Sequence, residues 1–170
     1  MSGADVATPI HGLVLEPLRI IEDERGAVLH MLRDDSPLFT RFGEIYFSEI
    51  RPGAVKAWKR HRRMTQRLAV PVGRVRFVLY DDRAESPTRG RTARLEIGRP
   101  DAYALLVIPP GVWYGWQGIA PHPSMLANCA DLRHDPTEAE QVSTIPAVGD
   151  DCWAPREPRE PWEPREPRER

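Results

Sequence analysis

Apolar and polar residues alternate in short runs along most of the chain, and Gly and Pro separate the runs. The clearest run is RVRFVLYDDR, where Val75, Phe77 and Leu79 fall on one face of an extended segment. EIYFSEI alternates in the same way, with Ile45 and Phe47 against Tyr46 and Ser48; the pattern leaves open which face is buried. In AVKAWKRH, an extended chain sends Lys59 and His61 to one face with Val55 and Ala57, and Lys56, Trp58 and Arg60 to the other. HGLVLEPLRIIED predicts a strand that bends or ends at Pro17. Asp23, Glu24 and Gly26 then form a turn before a strand over Ala27 to Leu32. RLAVPV, TARLEIG, YALLVI, the aromatic run after Pro109-Pro110-Gly111, and SMLANCADL predict further strands. DDSPLFTRFG reads as a loop with one helical turn from Ser36-Pro37, and Asp135-Pro136 is the one helix start, with Asp135 as N-cap. Many short strands with this punctuation predict an all-β sandwich or barrel with little helix.

The chain has 170 residues, enough for one domain and a tail. The pattern divides it into a flexible N-terminus over 1–11, a domain over 12–150 and a tail over 151–170. The tail repeats Pro-Arg-Glu with Trp162 in one Arg position, a composition that favours an extended, solvated chain. Net charge is −1, so neither nucleic acid nor a membrane surface is indicated as a partner. Two cysteines make no disulfide framework, and Cys129, inside MLANCA, reads as a small buried hydrophobe. No run is long and apolar enough to cross a bilayer, and the first residues lack the features of a signal peptide. A cytoplasmic protein is expected.

One spacing carries chemistry. Gly53, five residues, Lys59-Arg60-His61, four residues, Gln66, six residues and Gly73 reproduce the frame of the first cupin motif. Lys59 stands where that motif has its first His, and Gln66 where it has Glu. The second motif is matched by Pro109-Pro110-Gly111 with Tyr114 in the His position and Gly118 in the Asn position. Of four expected ligands only His61 remains. One imidazole, one ammonium, one amide and one phenol are a poor donor set for zinc or iron. No metal and no cofactor are expected, and the fold expectation becomes a cupin, a double-stranded β-helix jelly roll. Lys56, Arg60, Arg62, Arg63 and Arg67 surround the frame, interleaved with Trp58. A cationic, aromatic-lined barrel interior suits a phosphorylated, ring-bearing small molecule. Trp113, Tyr114 and Trp116 are available to stack on a ring or to fill the core.

Over residues 12 to 145 the chain resembles the dTDP-4-dehydrorhamnose 3,5-epimerase family of metal-free cupins. The pieces occur in the family's order. Asp23-Glu24-Arg25-Gly26 resembles the D-x-R-G turn, and Glu44-x-Tyr46-x-Ser48 lies at Q-x-N-x-S. Val55 to Lys59 lies over L-R-G-L-H, and Arg67-Leu68-Ala69-Val70 over K-L-V. Tyr80-Asp81-Asp82-Arg83 with Ser86-Pro87-Thr88-x-Gly90 is similar to V-D-L-R…SPT-x-G. Ile108-Pro109-x-Gly111-x-x-Tyr114-Gly115-Trp116 is similar to I-P-x-G-x-x-H-G-F, and Asp135 to Glu140 more loosely to a Pro- and Glu-containing turn. The resemblance implies a homodimer in which Arg25 reaches the partner's pocket, and a nucleotide-diphosphate sugar as substrate. It also marks departures. Lys59 takes the place of the family's catalytic His, Asn128 aligns with its opposite-face Tyr, and its Asp partner has no clear counterpart. The H-x-H strand of 3,4-ketoisomerases is also matched in register by Lys59-x-His61.

The expected activity is epimerisation of C3, C5 or both in a nucleotide-linked 4-keto-6-deoxy sugar of deoxysugar or surface-polysaccharide biosynthesis. A base would remove the acidic proton next to the carbonyl, and reprotonation on the other face would invert the centre. Lys59, His61 and Tyr114 are the catalytic candidates. His61 titrates near neutrality and suits a base. Lys59 either acts as a base, its pKa lowered by the crowd of Lys56, Arg60 and Arg67, or stays charged and stabilises an enolate oxygen. Tyr114 is the candidate proton donor. Arg25, Lys56, Trp58, Arg67, Trp116 and Asn128 are the substrate-binding candidates. A 3,4-ketoisomerase and a non-catalytic nucleotide-sugar binding protein are the alternatives.

Overall fold

The computed structural model describes residues 9–154; the expectations for 1–8 and for the repeat from 155 onward lie outside the described residues. Among the described residues twelve strands are present: β1 (Val14–Pro17), β2 (Ile20–Asp23), β3 (Gly26–Leu29), β4 (Glu44–Ile50), β5 (Val55–His61), β6 (Gln66–Val72), β7 (Arg74–Asp81), β8 (Thr92–Gly98), β9 (Ala104–Ile108), β10 (Val112–Gly118), β11 (Ser124–Ala130) and β12 (Ala139–Gln141). One sheet has the order β1-β9-β6-β11-β4 and the other β12-β5-β10-β7-β8, with β2 and β3 forming a separate hairpin. All named pairings are antiparallel. This is the expected all-β jelly roll.

The inner faces of the two sheets share one core. Val75, Phe77 and Leu79 of β7 are fully buried there with Leu68, Val70, Ile97, Leu106, Ile108 and Leu126. Burying each such side chain contributes roughly 1.5–3 kcal/mol. Ile10 and Leu13 join the same core, so ordered packing begins ahead of residue 12. Register settles the open question at β4. Tyr46 pairs with Asn128, Ser48 with Leu126 and Glu44 with Ala130, which puts these residues on the inner face and leaves Ile45 and Phe47 exposed outside.

The outer face of the second sheet carries a smaller cluster of Trp58, Val78 and Trp113, covered by Ile145, Val148, Cys152 and Trp153. The segment over 150–153 is a 3₁₀ turn, so packing also continues past residue 150. The frame's last glycine has a steric reason. Gly73 has φ of 77°, and a Cβ there would lie 2.2 Å from Ser124 Oγ. Ser124 Oγ accepts from Arg74 N and donates to Arg74 O, which ties the β6–β7 turn to β11.

Two local expectations are corrected. No helix follows Asp135: its carboxylate accepts from the backbone N and the hydroxyl of Thr137, Glu138 N donates to Asp135 O, and the chain enters β12. Pairing of Ala139 with His61 satisfies the backbone groups that a helix would have used. Cys129 is half-buried on the outward side of β11 rather than a core residue.

Candidate active site

β5 carries the centre of the site. Its alternation sends Trp58 and Arg60 outward and Lys59 and His61 inward, opposite Tyr114 of β10. A bulge between Tyr114 and Trp116 shifts the register, so that Trp116 faces Lys56. Gly115 sits at this bulge, where a Cβ would lie 2.5 Å from that of Ala57.

His61 is 5 % exposed, and its Nδ1 lies 2.5 Å from Oε2 of Glu138, which is 3 % exposed. Glu138 Oε1 accepts hydrogen bonds from the backbone N of Arg63 and of Met64, at 2.5 and 2.8 Å. The carboxylate therefore caps the bend after β5 and orients the imidazole at once. Burial pushes the Glu138 carboxyl up, but the hydrogen bonds from Arg63, His61 and Met64 outweigh it and hold the group below its ordinary value. Burial also lowers the His61 pKa, against the raising effect of Glu138. A neutral imidazole donates Nδ1–H to Glu138 and keeps its lone pair on Nε2. Nε2 is buried and has no hydrogen-bond partner.

The imidazole stacks on Tyr114, with ring centroids 6.1 Å apart and planes 14° apart, and Tyr114 stacks on Trp116 at 5.7 Å. Burial, then the nearby Tyr46 and Glu138, raise the Tyr114 pKa well above that of a free phenol. Tyr114 thus lies on the same sheet as His61, beside it. Burial lowers the Lys59 pKa, while the charges of Glu138 and Glu44 oppose the shift. The expected crowd of cations is not the cause. Arg60 points outward over Trp113, pairing with Asp82 and Glu140 at 2.9 and 2.6 Å. Arg62 also pairs with Glu140. Arg67 is 2 % exposed and lies on the outer side of β6, where Nε and Nη2 bind Leu38 O and Thr40 Oγ1. Alternation forces this, because Gln66 and Leu68 take the inner positions.

The facing sheet contributes a second polar group. Asn128 Oδ1 accepts from Arg67 N, and its Nδ2 donates to Tyr46 Oη at 2.8 Å and to Gln66 Oε1 at 2.5 Å. Gln66 Nε2 and Trp116 Nε1 are buried without partners.

A cavity of about 610 Å³ opens along the β5 edge, walled in part by Lys56, Lys59, Trp116 and Gln141. Trp58 also borders it, although its ring is 5 % exposed and packs outward against Trp153. His61 is not among the walls; Lys59 and Trp116 connect the cavity to its row. Lys56 Nζ reaches Glu49 O at 2.7 Å. Arg25 sits at the exposed β2–β3 turn, paired with Asp23, and does not join this group within one chain. Among the described residues, no three His, Cys, Asp or Glu side chains gather as a metal site.

Glu138 was missed in the sequence because the Asp135–Glu140 stretch offers three acids, Asp135, Glu138 and Glu140, with nothing to choose among them. The turn ahead of β12 makes the choice: Glu138, its N bonded to Asp135 O, precedes the strand and reaches His61, while Glu140 inside β12 lies opposite Arg60 and pairs with it.

The Asp81 motif serves the fold instead. Asp81 is fully buried and accepts from Arg83 N, Nε and Nη2, Ser86 Oγ and Thr88 Oγ1.

No family model matches the chain. It is 33 % identical over 128 residues to the "probable low-salt glycan biosynthesis epimerase" of Haloferax volcanii, covering 74 % of this chain and 81 % of that protein. It is 30 % identical over 132 residues to a spore coat polysaccharide biosynthesis protein of Bacillus subtilis, covering 78 % and 87 %. The crystal structure of a dTDP sugar isomerase from Desulfovibrio desulfuricans superposes with a TM-score of 0.84 at 51 % identity, over 89 % of this chain and 97 % of that one. Similarity of this extent, on a shared jelly roll, makes the chain a member of the cupin family of nucleotide-sugar epimerases and isomerases.

Proposed function

We propose that the protein epimerises C3, C5 or both in a dTDP-linked 4-keto-6-deoxy sugar, without a metal. The observation that carries this reading is the His61–Glu138 pair, which leaves Nε2 of a neutral imidazole free on the inner face. Nε2 accepts the proton from the carbon next to the carbonyl, and the C–H electron pair becomes the double bond of an enolate. Glu138 stabilises the imidazolium that results. Lys59, charged and two residues away on the same face, stabilises the enolate oxygen. Trp116 and Lys56, at the cavity wall, contribute to binding the nucleotide and its diphosphate. Arg25 is available to a second copy. The exposed Ile45 and Phe47 on the edge strand β4 support a homodimer.

The test is deuterium incorporation from heavy water into a dTDP-linked 4-keto-6-deoxyhexose. An epimerase gives a product deuterated at the inverted centre, and His61→Asn abolishes both exchange and inversion. Exchange by His61→Asn at the native rate would overturn the assignment. A second reading is supported by the isomerase that shares 51 % identity: migration of the carbonyl from C4 to C3. It is distinguished by a 3-keto product.

A further inference from the structure

Inversion needs a proton donor on the side of the sugar opposite the base. Tyr114 does not provide it, because it belongs to the sheet of His61 and lies stacked against that imidazole. The facing sheet carries one phenol toward the shared interior. Tyr46 pairs in register with Asn128, and Asn128 is 1 % exposed on the inner face. Tyr46 itself is 37 % exposed, open on one side. It is also close enough to Tyr114 for its charge to affect that phenol.

The hydrogen bonds around Asn128 leave the Tyr46 proton unused on that side. A backbone N–H can only donate, so Arg67 N identifies its partner as the oxygen of the Asn128 amide. The group against Tyr46 Oη is then the amide nitrogen, also a donor. Tyr46 Oη accepts that bond, so its own hydrogen is not used there.

We propose that Tyr46 is the general acid of this site and that Asn128 positions it. The inference rests on the epimerase reading above. The step balances as follows. When the carbonyl re-forms, the electron pair of the enolate double bond takes the hydrogen of Tyr46 Oη. Inverted substrate and a Tyr46 phenolate result, while His61 holds the proton first removed. Solvent returns one proton to Tyr46 and removes one from His61. Asn128, which aligns with the family's tyrosine, does not replace that phenol. It aims one supplied by the neighbouring strand.

The experiment compares exchange with inversion in heavy water, using the full chain and a dTDP-linked 4-keto-6-deoxyhexose. Tyr46→Phe is expected to lower epimer formation by about 10²-fold or more, while deuterium still enters unreacted substrate with retention, because His61 remains. Asn128→Asp tests the positioning. Its carboxylate accepts from Arg67 N and from the Tyr46 hydroxyl, so the hydrogen turns away from the substrate. The variant is expected to reproduce the split between exchange and inversion, with KM changed by less than about 3-fold. Native rates of inversion in Tyr46→Phe overturn the proposal, as does equal loss of exchange and inversion in a folded variant. If the native protein gives neither exchange nor epimer, the epimerase reading itself fails, and this inference with it.

Discussion

Nδ1 of His61 and Oε2 of Glu138 lie 2.5 Å apart although 77 positions separate them in the chain. The short strand β12 makes this possible, because Ala139 pairs with His61 and delivers the preceding residue onto its ring. The carboxylate fixes the tautomer as well as the ring. With Nδ1–H donating to Glu138, Nε2 must carry the lone pair.

Glu138→Gln is therefore expected to damage catalysis more than folding. The amide keeps an oxygen for Arg63 N and Met64 N but presents NH₂ to Nδ1, which drives the imidazole proton onto Nε2. The turnover number is expected to fall by about 10²-fold or more. The pH profile has a definite sign. Burial sets His61 below the ordinary 6.5, so the base is already neutral at that pH and the acid limb of kcat/KM lies lower. Glu138 raises the His61 pKa, so its loss moves the acid limb lower still. A pH–rate profile of both proteins checks this; an acid limb that stays in place in Glu138→Gln would show that the carboxylate does not act through His61.

The strands were legible because alternation at β4 and β7 is regular and Gly73 and Pro17 mark breaks; a bulge interrupts that of β5 and sets Lys56, read on the outer face, opposite Trp116. The inner position of Lys59 and His61 follows from the same period of two. What the sequence did not show was pairing across distance. Arg67 reads as a pocket cation until Gln66 and Leu68 are seen to occupy the inner positions of β6. Asp135-Pro136 has the local chemistry of a helix start, but strand pairing with β5 overrides it. Glu138 and Glu140 are separated by the turn at Asp135, which holds Glu138 outside the alternation of β12.

Asp81→Asn is expected to destabilise the fold rather than spoil its chemistry. Asp81 is fully buried, and Arg83 would keep its charge without a full partner. Breaking such a pair costs about 3 kcal/mol or more. Burial alone would raise the Asp81 pKa, but Arg83, Ser86 and Thr88 together hold it well below the usual carboxylate value of 3.8. A depressed carboxylate contributes stability that is full above its unfolded value and is lost as pH falls through its folded one. Chemical denaturation across the acid range is expected to show this loss in the native protein and a flatter profile in Asp81→Asn. Equal stability of the two at pH 7 would contradict the role given to Asp81.

Removal of divalent metals is expected to leave turnover within about 2-fold of the native value, since a lone imidazole with lysine, amide and phenol neighbours is a poor site for such ions. His61 Nδ1 is moreover already engaged by Glu138. Dialysis against a chelator, followed by the exchange assay and metal analysis, makes the measurement. Activity lost on dialysis and restored by one added metal would contradict the metal-independent reading.

Lys59 separates a charged role from a basic one. If it stabilises the enolate oxygen, Lys59→Met is expected to lower turnover by about 10²- to 10³-fold with a smaller change in KM, and Lys59→Arg to recover part of the loss because the cation remains. The basic limb of the profile gives the sign. Burial lowers the Lys59 pKa from 10.5, so activity that needs its charge declines below pH 10.5 as the proton leaves. Arginine stays protonated throughout, so Lys59→Arg is expected to move that limb to higher pH. Were Lys59 the base, the dependence would reverse: activity would rise as the amine lost its proton, and Lys59→Arg would be as inactive as Lys59→Met. Steady-state rates from pH 5 to 11 for the three proteins decide between the two.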